Sequence, residues 1–339
     1  MKTNRILGLT AVVCTLLAGG ALALDATDFS VIDFPPPVTQ DLVGVDALAD
    51  GSVVVYDGES VFVRGAEEGD AFDAGTALYA NTGENAVGSE GFVAADPNGG
   101  ALIGAADGAM WLLDGSELVV TDGPTDGVVF GEFVDATSVL VSSGTELGLV
   151  TWNSGELTAS YTAVVDYNTS SMAPAGIVCI DDKVYVGDAS GTIRSFKVAD
   201  LKAVTDTPLE AADGAAFATA PNFAGKDGYG VFGPTSATPD GNLLVGGVGT
   251  IEVVQPGGFL RRAGRVFESV DFGTELLYLP ISVSVDGVDG KILVADSDGG
   301  AQEAVADVDP GFFGKLFAPI VQLFQWLFGL IAGLFGFGA

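Results

Sequence analysis

The stretch DDKVYVGDASGTIRSFKV, Asp181 to Val198, consists of two short apolar runs separated by a tight turn. Turn-forming residues open it, and Asp-Ala-Ser-Gly lies between the two runs. This pattern predicts a β-hairpin. One hairpin buries too little apolar surface to be stable alone, so the fold depends on what this hairpin packs against.

The same pattern recurs along the chain as a turn, an apolar run, a glycine-containing turn and a second run. The copies span residues 47–63, 94–113, 134–152, 181–198, 237–254 and 285–305. The glycines of their second turns are spaced by 36 to 58 residues and are Gly58, Gly108, Gly144, Gly191, Gly249 and Gly299. Such a spacing, with no helical periodicity between the units, predicts a β-propeller or another β-repeat array.

Each unit has a further apolar run before its hairpin, and most have a fourth run after it, as in ELVVTDG from Glu117 and KAVTDTPL from Lys202. Four strands in a unit make one propeller blade. Runs that are apolar at consecutive positions, such as residues 53–56, indicate sheets covered on both faces. We therefore predict an all-β fold, a β-propeller of six four-stranded blades. Residues 65–90 or 205–229 are long enough to hold a seventh blade.

The sixth unit has no fourth run, whereas FSVIDF, Phe29 to Phe34, stands unassigned before the first unit. We predict that this segment forms the outer strand of the last blade, beside Ala301 to Val308. A strand borrowed from the N-terminus would close the ring and cover an open sheet edge.

The opening stretch resembles the repeats of pyrroloquinoline-quinone-type propellers, and TPDGNLLVGG and VDGKILVADSDGG are similar to NHL and YVTN-type repeats. The resemblance covers most of residues 42–308. The docking tryptophan of the quinone-type repeat is missing, because the chain reads ADLKAV after Val198. The resemblance implies a fold and no particular activity, since such propellers serve as enzymes, scaffolds and receptors.

The two ends of the chain differ from the repeats and predict three regions. Residues 1–23 have basic, apolar and small-residue segments in the order of a secretory signal helix. The propeller then occupies residues 24–310. Residues 311–339 predict a hydrophobic helix, and its 24 residues from Leu316 onward carry no charge and would span about 36 Å, enough to cross a bilayer. A buried C-terminus, a removable anchor signal and a self-association segment remain alternatives for this tail.

The composition limits the partners and the chemistry. The 45 acidic and 13 basic residues give a formal charge of −32, which excludes nucleic acid as a partner and suits cations, basic partners or a salty medium. Solubility alone also explains such a surface. The absence of histidine argues against Ser-His-Asp, Cys-His and histidine-zinc sites. Cys179 remains alone once the signal is removed and is expected to be a buried small hydrophobe.

One candidate cation site lies in the second-turn loops, which we expect on one face of the ring. Their aspartates are Asp57, Asp107, Asp188, Asp296 and Asp298. The alternating carboxylates of Asp296 and Asp298 suit a calcium ion. Ordinary turn chemistry is the simpler explanation, because tight turns use Asp and Gly in any case.

Three of the few basic residues cluster in GGFLRRAGRVF, as Arg261, Arg262 and Arg265. They are suited to grip a carboxylate, a sulfate or an acidic partner. Pairing with acidic residues on neighbouring blades is the alternative.

These features predict an exported, acidic β-propeller on the periplasmic or extracellular side, attached to a membrane through its C-terminal helix. We expect it to bind or scaffold a protein or a small anionic ligand through its loop face. No catalytic residue and no certain cofactor is predicted. One alternative is a hydrolase or lyase with a carboxylate-bound calcium ion in the central channel, and another is a structural subunit of a cell-surface assembly.

Overall fold

The structure is a computed structural model, and most of its repeat region is described. The described residues are 29–31, 42–66, 70–78, 91–96, 99–105, 107–124, 128–153, 155–167, 174–188, 192–219, 235–237, 242–247, 250–255, 265–271, 280–285, 291–296 and 300–305. The predicted signal segment, residues 1–23, and the predicted C-terminal helix, residues 311–339, lie outside them. Within the described ranges no helix is long and apolar enough to cross a membrane.

Strands dominate the described chain, with one α-helix, α1 (Val198–Lys202), and one 3-10 turn at Ala211–Asp213. The strands are β1 (Phe29–Val31), β2 (Gly44–Ala47), β3 (Val53–Tyr56), β4 (Ser60–Arg64), β5 (Thr76–Ala77), β6 (Gly91–Ala95), β7 (Ala101–Ala105), β8 (Met110–Leu112), β9 (Val119–Thr121), β10 (Val128–Asp135), β11 (Ser138–Ser143), β12 (Glu146–Trp152), β13 (Thr158–Asp166), β14 (Pro174–Ile180), β15 (Lys183–Asp188), β16 (Thr192–Lys197), β17 (Leu209–Glu210), β18 (Ala215–Thr219), β19 (Thr235–Ala237), β20 (Leu243–Gly247), β21 (Thr250–Gln255), β22 (Arg265–Asp271), β23 (Pro280–Val285), β24 (Lys291–Asp296) and β25 (Gly300–Val305).

Within the described residues these strands form six sheets, in which the strands of each hairpin pair antiparallel, whereas β9 and β17 pair parallel with β13. We number the sheets along the chain. They are sheet 1 (β2-β3-β4-β5), sheet 2 (β6-β7-β8), sheet 3 (β10-β11-β12-β13-β17, with β9 also on β13), sheet 4 (β14-β15-β16-β18), sheet 5 (β19-β20-β21-β22) and sheet 6 (β23-β24-β25-β1). The opening stretch is the β15–β16 hairpin of sheet 4.

The first strands of the six sheets contact one another in a closed cycle. Strand β2 packs against β6, β6 against β10, β10 against β14, β14 against β19, β19 against β23, and β23 against β2. Sheets whose innermost strands meet in this order are stacked around a common axis, as the blades of a propeller are.

The N-terminal strand joins the last sheet. In β1, Phe29 lies opposite Ala304, Ser30 opposite Glu303 and Val31 opposite Gln302 of β25. This is the partner that the sequence predicted for FSVIDF. The other residues of that segment, 32–34, lie outside the described residues.

The stacking explains why the second strand of a sheet is apolar at consecutive positions. All four residues of β3 are buried. Val53 and Val55 belong to a cluster that contains Leu293 of sheet 6, whereas Val54 and Tyr56 belong to a cluster that contains Ile103 of sheet 2. Alternate side chains thus contact the neighbouring sheets on opposite sides, and each buried valine contributes about 1.5–3 kcal/mol.

The uniform four-stranded blade predicted from the sequence is wrong for sheets 2 and 3. ELVVTDG from Glu117 was expected to complete sheet 2, but its strand β9 pairs parallel with β13 of sheet 3. Sheet 2 has three described strands, and sheet 3 has six. Glu117 still bridges Trp111 of β8, and the chain then leaves sheet 2 at Val119, whose N–H donates to the Leu157 carbonyl beside β13.

The predicted fourth strand of sheet 4 is also wrong. The run KAVTDTPL from Lys202 follows helix α1, whose Leu201 is buried between sheets 3 and 4, and Leu209–Glu210 pairs with β13 instead. Strand β18 takes the fourth position in sheet 4. The described part of residues 205–229 therefore extends sheets 3 and 4 rather than forming a seventh blade.

Candidate functional site

Two carboxylates connect the innermost strands of neighbouring sheets. Asp46 of β2 accepts a hydrogen bond from the Ala95 backbone N–H of β6 through Oδ2, at 2.6 Å. Glu132 of β10 accepts one from the Cys179 backbone N–H of β14 through Oε1, at 3.2 Å. An innermost strand has no partner on one side, so its N–H groups need another acceptor. These two side chains supply that acceptor from the preceding sheet.

The environment of Glu132 favours its neutral form. Burial, and secondarily the charge of Asp46, raises the pKa of Glu132 to about 8, against a lowering effect of the Cys179 N–H. Burial, with Glu132 as the next cause, likewise raises the pKa of the Cys179 thiol to about 12. The thiol is half-buried and packs beside the apolar cluster shared by sheets 3 and 4. At neutral pH both groups are therefore protonated and uncharged, and the thiol is a poor nucleophile.

Two of the second-turn aspartates, Asp57 and Asp107, use their carboxylates within their own turns. Asp57 Oδ1 accepts from the backbone N–H groups of Glu59 and Ser60 at 3.0 and 2.8 Å. Asp107 Oδ1 accepts from Ala109 N–H at 3.0 Å. These are the local bonds that favour Asp in tight turns.

Asp188, the corresponding residue of sheet 4, is fully buried. Its Oδ1 accepts from Thr192 N–H and its Oδ2 from Arg194 Nε, each at 3.2 Å. A buried, paired carboxylate of this kind serves the packing of its own sheet.

The predicted calcium and arginine sites are only partly covered by the described residues. Asp296 is the last residue of β24, and Asp298 lies outside the described residues. Arg265 begins β22 opposite Gln255, whereas Arg261 and Arg262 lie outside. Both sites stay predictions. Among the residues that the structure does describe, no three Asp, Glu, Cys or His side chains gather as metal ligands would.

A cavity of about 460 Å³ opens between sheets 2 and 3, at the strand ends opposite to the second turns. Turns after the first and third strands of these sheets form its rim, and residues of β8, β10 and β12 form its walls. It is lined by Asp96, Gly99, Gly100, Ala101, Leu112, Leu113, Asp114, Phe133, Ala136, Trp152 and Gly155.

The walls of this cavity are apolar and partly rigid. Phe133 is 7% exposed and meets Trp152 edge to face, with ring centroids 5.9 Å apart and planes at 83°. Trp152, Leu112 and Leu113 are half-buried, so part of each side chain is accessible to a ligand. An aromatic ring fixed by a buried neighbour offers binding area at little entropic cost.

Strand β10 lies beside the cavity because sheets 2 and 3 approach closely at Gly131. The Phe92 ring of β6 lies where a side chain at Gly131 would begin, so a β-carbon there has no room. Glycine therefore allows the Phe92 ring to fill the space between the two sheets, and the next two residues of β10 are Glu132 and Phe133.

The rim of the cavity is acidic. Asp114 is exposed, and its Oδ1 accepts from Ser116 N–H at 2.9 Å, which lowers its pKa and keeps it ionised. Asp96 is half-buried in the β6–β7 turn, which is closed by Asp96 N–H donating to the Gly100 carbonyl at 2.9 Å. No Lys or Arg is among the lining residues.

The sequence did not lead to this cavity, because the candidate ligands were the aspartates of the second turns and the arginines of residues 261–265. A signal was nevertheless present in two places. The first turn of sheet 2, DPNGG, is longer and richer in glycine than its counterpart in sheet 3, and a tryptophan ends the apolar run of β12. Only the stacking of sheets 2 and 3 brings these two features together.

Comparison with known proteins supports the fold. No family model matches the chain, and no curated protein matches its sequence. A solved structure of U3-55K, a WD40 β-propeller protein, is similar to this chain with a TM-score of 0.55 and 10% identity, over 83% of this chain and 99% of that one. At this identity the similarity concerns the fold alone: antiparallel β-sheets in a propeller-like arrangement.

Proposed function

We propose that this protein is a six-bladed, acidic β-propeller that binds or scaffolds a partner through a face formed by its turns. The cavity between sheets 2 and 3 is the observation that carries this proposal. It combines accessible apolar walls with an acidic rim, as binding pockets combine apolar surface with a few polar groups. The carboxylates of Asp57 and Asp107 in the second turns, and of Asp46 and Glu132 on the innermost strands, are engaged with backbone N–H groups, which favours a structural role for these four.

The six-blade count is supported by the closed cycle of first strands and by the pairing of β1 with β25. Each described sheet then corresponds to one blade. Strand β9 follows sheet 2 in the chain and β17 lies between two strands of sheet 4, so their pairing with β13 connects sheet 3 to both neighbours. A ring that is closed in this way presents rigid turns at both of its ends. Rigid turns suit recognition of a partner without a large conformational change.

We also propose that the protein is exported and held at the outer side of a membrane by residues 311–339. The basic, apolar and small-residue order of residues 1–23 supports export, and the uncharged C-terminal segment supports attachment. The resemblance of the repeats to quinone-type, NHL and YVTN propellers agrees with a binding role. That family assignment itself stays a proposal.

A capture experiment with the full chain tests the binding role. Ala136 is exposed at the rim, and an Ala136→Trp variant would fill the cavity without changing a buried side chain. We expect a partner from detergent-solubilised native membranes to bind the wild-type chain and to be lost with Ala136→Trp. Asp107→Asn, on the opposite turns, is the matched control and should retain the partner. Equal capture by all three chains would contradict binding at this cavity.

A further inference from the structure

We infer that the cavity between sheets 2 and 3 receives a basic side chain of a partner protein, an arginine guanidinium or a lysine ammonium group on its aliphatic stem. The inference rests on the proposed binding function and specifies its ligand. Three properties of the cavity lead to it: the sign of its charge, the arrangement of its apolar walls, and the preorganisation of its acidic rim.

The charge of the lining selects a cation. Asp96 and Asp114 are on the rim, and none of the described residues that line the cavity is basic. The whole chain carries 45 acidic residues against 13 basic ones, so its long-range field also attracts cations and repels anions. A small anionic ligand, one of the partners expected from the sequence, is therefore unfavourable at this position. Two carboxylates are fewer than the roughly six to eight oxygen ligands that a calcium ion takes, and no three Asp, Glu, Cys or His side chains gather among the described residues.

The walls suit a ligand that is cationic at its tip and apolar along its stem. Leu112, Leu113 and Trp152 offer accessible apolar surface below the acidic rim. Arginine and lysine side chains bury their methylene groups on such surfaces while their charged ends remain near carboxylates or water. An indole ring is also the preferred aromatic partner of a cation.

The rim and the walls are held in place before a ligand arrives. The Ser116 N–H fixes the Asp114 carboxylate, and buried Phe133 supports the edge of Trp152. Gly99 and Gly100 have φ values of +92° and +119°, and a β-carbon at either would meet no atom within 4 Å. The turn thus adopts a backbone that favours glycine and leaves the mouth of the cavity open. Such preorganisation lowers the entropic cost of binding.

The test uses the full chain in detergent and the probe N-acetyl-arginine methylamide, with its neutral isostere N-acetyl-citrulline methylamide as the control ligand. Binding is followed by the fluorescence of Trp152, isolated from the other two tryptophans by comparison with Trp152→Phe. Ionic strength is held constant with sodium chloride, because screening alone changes the interaction of exposed charges. We expect the arginine probe to bind with a Kd of about a millimolar and the citrulline probe to bind at least several-fold more weakly.

Matched variants locate the effect. Asp114→Asn keeps an oxygen that accepts from Ser116 N–H but removes the charge, and it should weaken arginine binding about two- to five-fold. Asp107→Asn makes the same change in the same kind of turn at the opposite strand ends of sheet 2 and should not affect binding. Equal binding of the citrulline probe, or equal weakening by both variants, would overturn the inference.

Two further comparisons complete the test. One distinguishes a partner's side chain from a free guanidinium compound, and the other distinguishes failure of the ligand assignment from failure of the proposed function. An N-acetylated, C-amidated Gly-Gly-Arg-Gly-Gly peptide should bind at least as tightly as butylguanidinium, a free guanidinium compound with the same single charge. Tighter binding of butylguanidinium would overturn the assignment to a partner's side chain. If Ala136→Trp abolishes partner capture while the arginine probe does not bind, the proposed function stands and the basic ligand is wrong. If Ala136→Trp changes neither the partner capture nor the binding of the arginine probe, then binding at this cavity and the basic ligand are both wrong.

Discussion

Single residues on the innermost strands determine how the sheets meet. Asp46 and Glu132 each satisfy a backbone N–H of the next sheet, and both are half-buried. Neither one was predictable from the sequence, because an acidic residue in a short strand has no local signature of its partner. The turn chemistry of Asp57 and Asp107 was readable from sequence, since those bonds span only two or three residues.

The raised pKa of Glu132 predicts a pH-dependent contribution of this residue to stability. The folded-state pKa is about 8 and the ordinary value is 4.5, so between these values the folded state holds a proton that the unfolded state releases. The contribution of Glu132 to stability therefore falls as pH rises from about 4.5 to about 8, by a total on the order of a few kcal/mol. Above that range the contribution is constant.

The Glu132→Gln variant should remove this slope, because its side-chain oxygen still accepts from Cys179 N–H and carries no titrating group. Urea unfolding between pH 5 and pH 9 measures it. We expect the variant to gain stability over the wild type steadily as pH rises. Glu156→Gln, at an exposed turn, is the control and should follow the wild type. Parallel profiles of wild type and Glu132→Gln would show that Glu132 does not hold its proton.

At the scale of strands and helices, the hairpins were predictable and their outer neighbours were not. The β3–β4, β11–β12, β15–β16 and β24–β25 hairpins follow directly from apolar runs around Gly-containing turns. Strands β9 and β17 instead pair with β13 across a sheet boundary. Two or three residues do not specify their own partner, so the position of the neighbouring sheet decides it.

The pairing of β1 with β25 predicts that the N-terminal strand stabilises the repeat region. Removing residues 28–34 exposes the edge of β25 and deletes three opposed residue pairs. At roughly 1 kcal/mol per backbone hydrogen bond, we expect a loss of about 3 kcal/mol and a greater tendency to aggregate. Urea unfolding and light scattering measure the two effects. Removal of residues 24–27 keeps the strand and is the control. An unchanged unfolding midpoint in the longer deletion would mean that β1 adds nothing to the closure.

At the scale of the whole molecule, the net charge of −32 makes stability sensitive to salt. Screening of self-repulsion should raise the melting temperature in any salt. A calcium ion bound at Asp296 and Asp298 would add stabilisation by mass action beyond screening. We therefore expect millimolar calcium chloride to raise the melting temperature more than sodium chloride of equal ionic strength, and Asp298→Asn to abolish only the excess. Equal shifts in the two salts would show that Asp296 and Asp298 bind no calcium ion and serve only to form the turn.

The C-terminal segment carries the last prediction, which concerns attachment of the whole molecule. Among residues 316–339, 13 are Leu, Ile, Val or Phe and none is charged. At about −0.3 to −0.6 kcal/mol each near the membrane centre, they favour insertion by roughly 4–8 kcal/mol before the costs of Gln, Pro and Gly.

We expect the full chain to partition into membranes and to resist salt and alkaline washing, and a chain that ends at Pro310 to remain in the aqueous fraction. Circular dichroism of the shortened chain should show the same β-sheet signal and thermal transition, because every described strand lies before that point. Fractionation followed by mass spectrometry of the C-terminus measures both attachment and processing. Ready release of an unprocessed full chain by washing would exclude insertion. Residues 311–339 would then act as a protein–protein contact, with their apolar surface covered by a second chain.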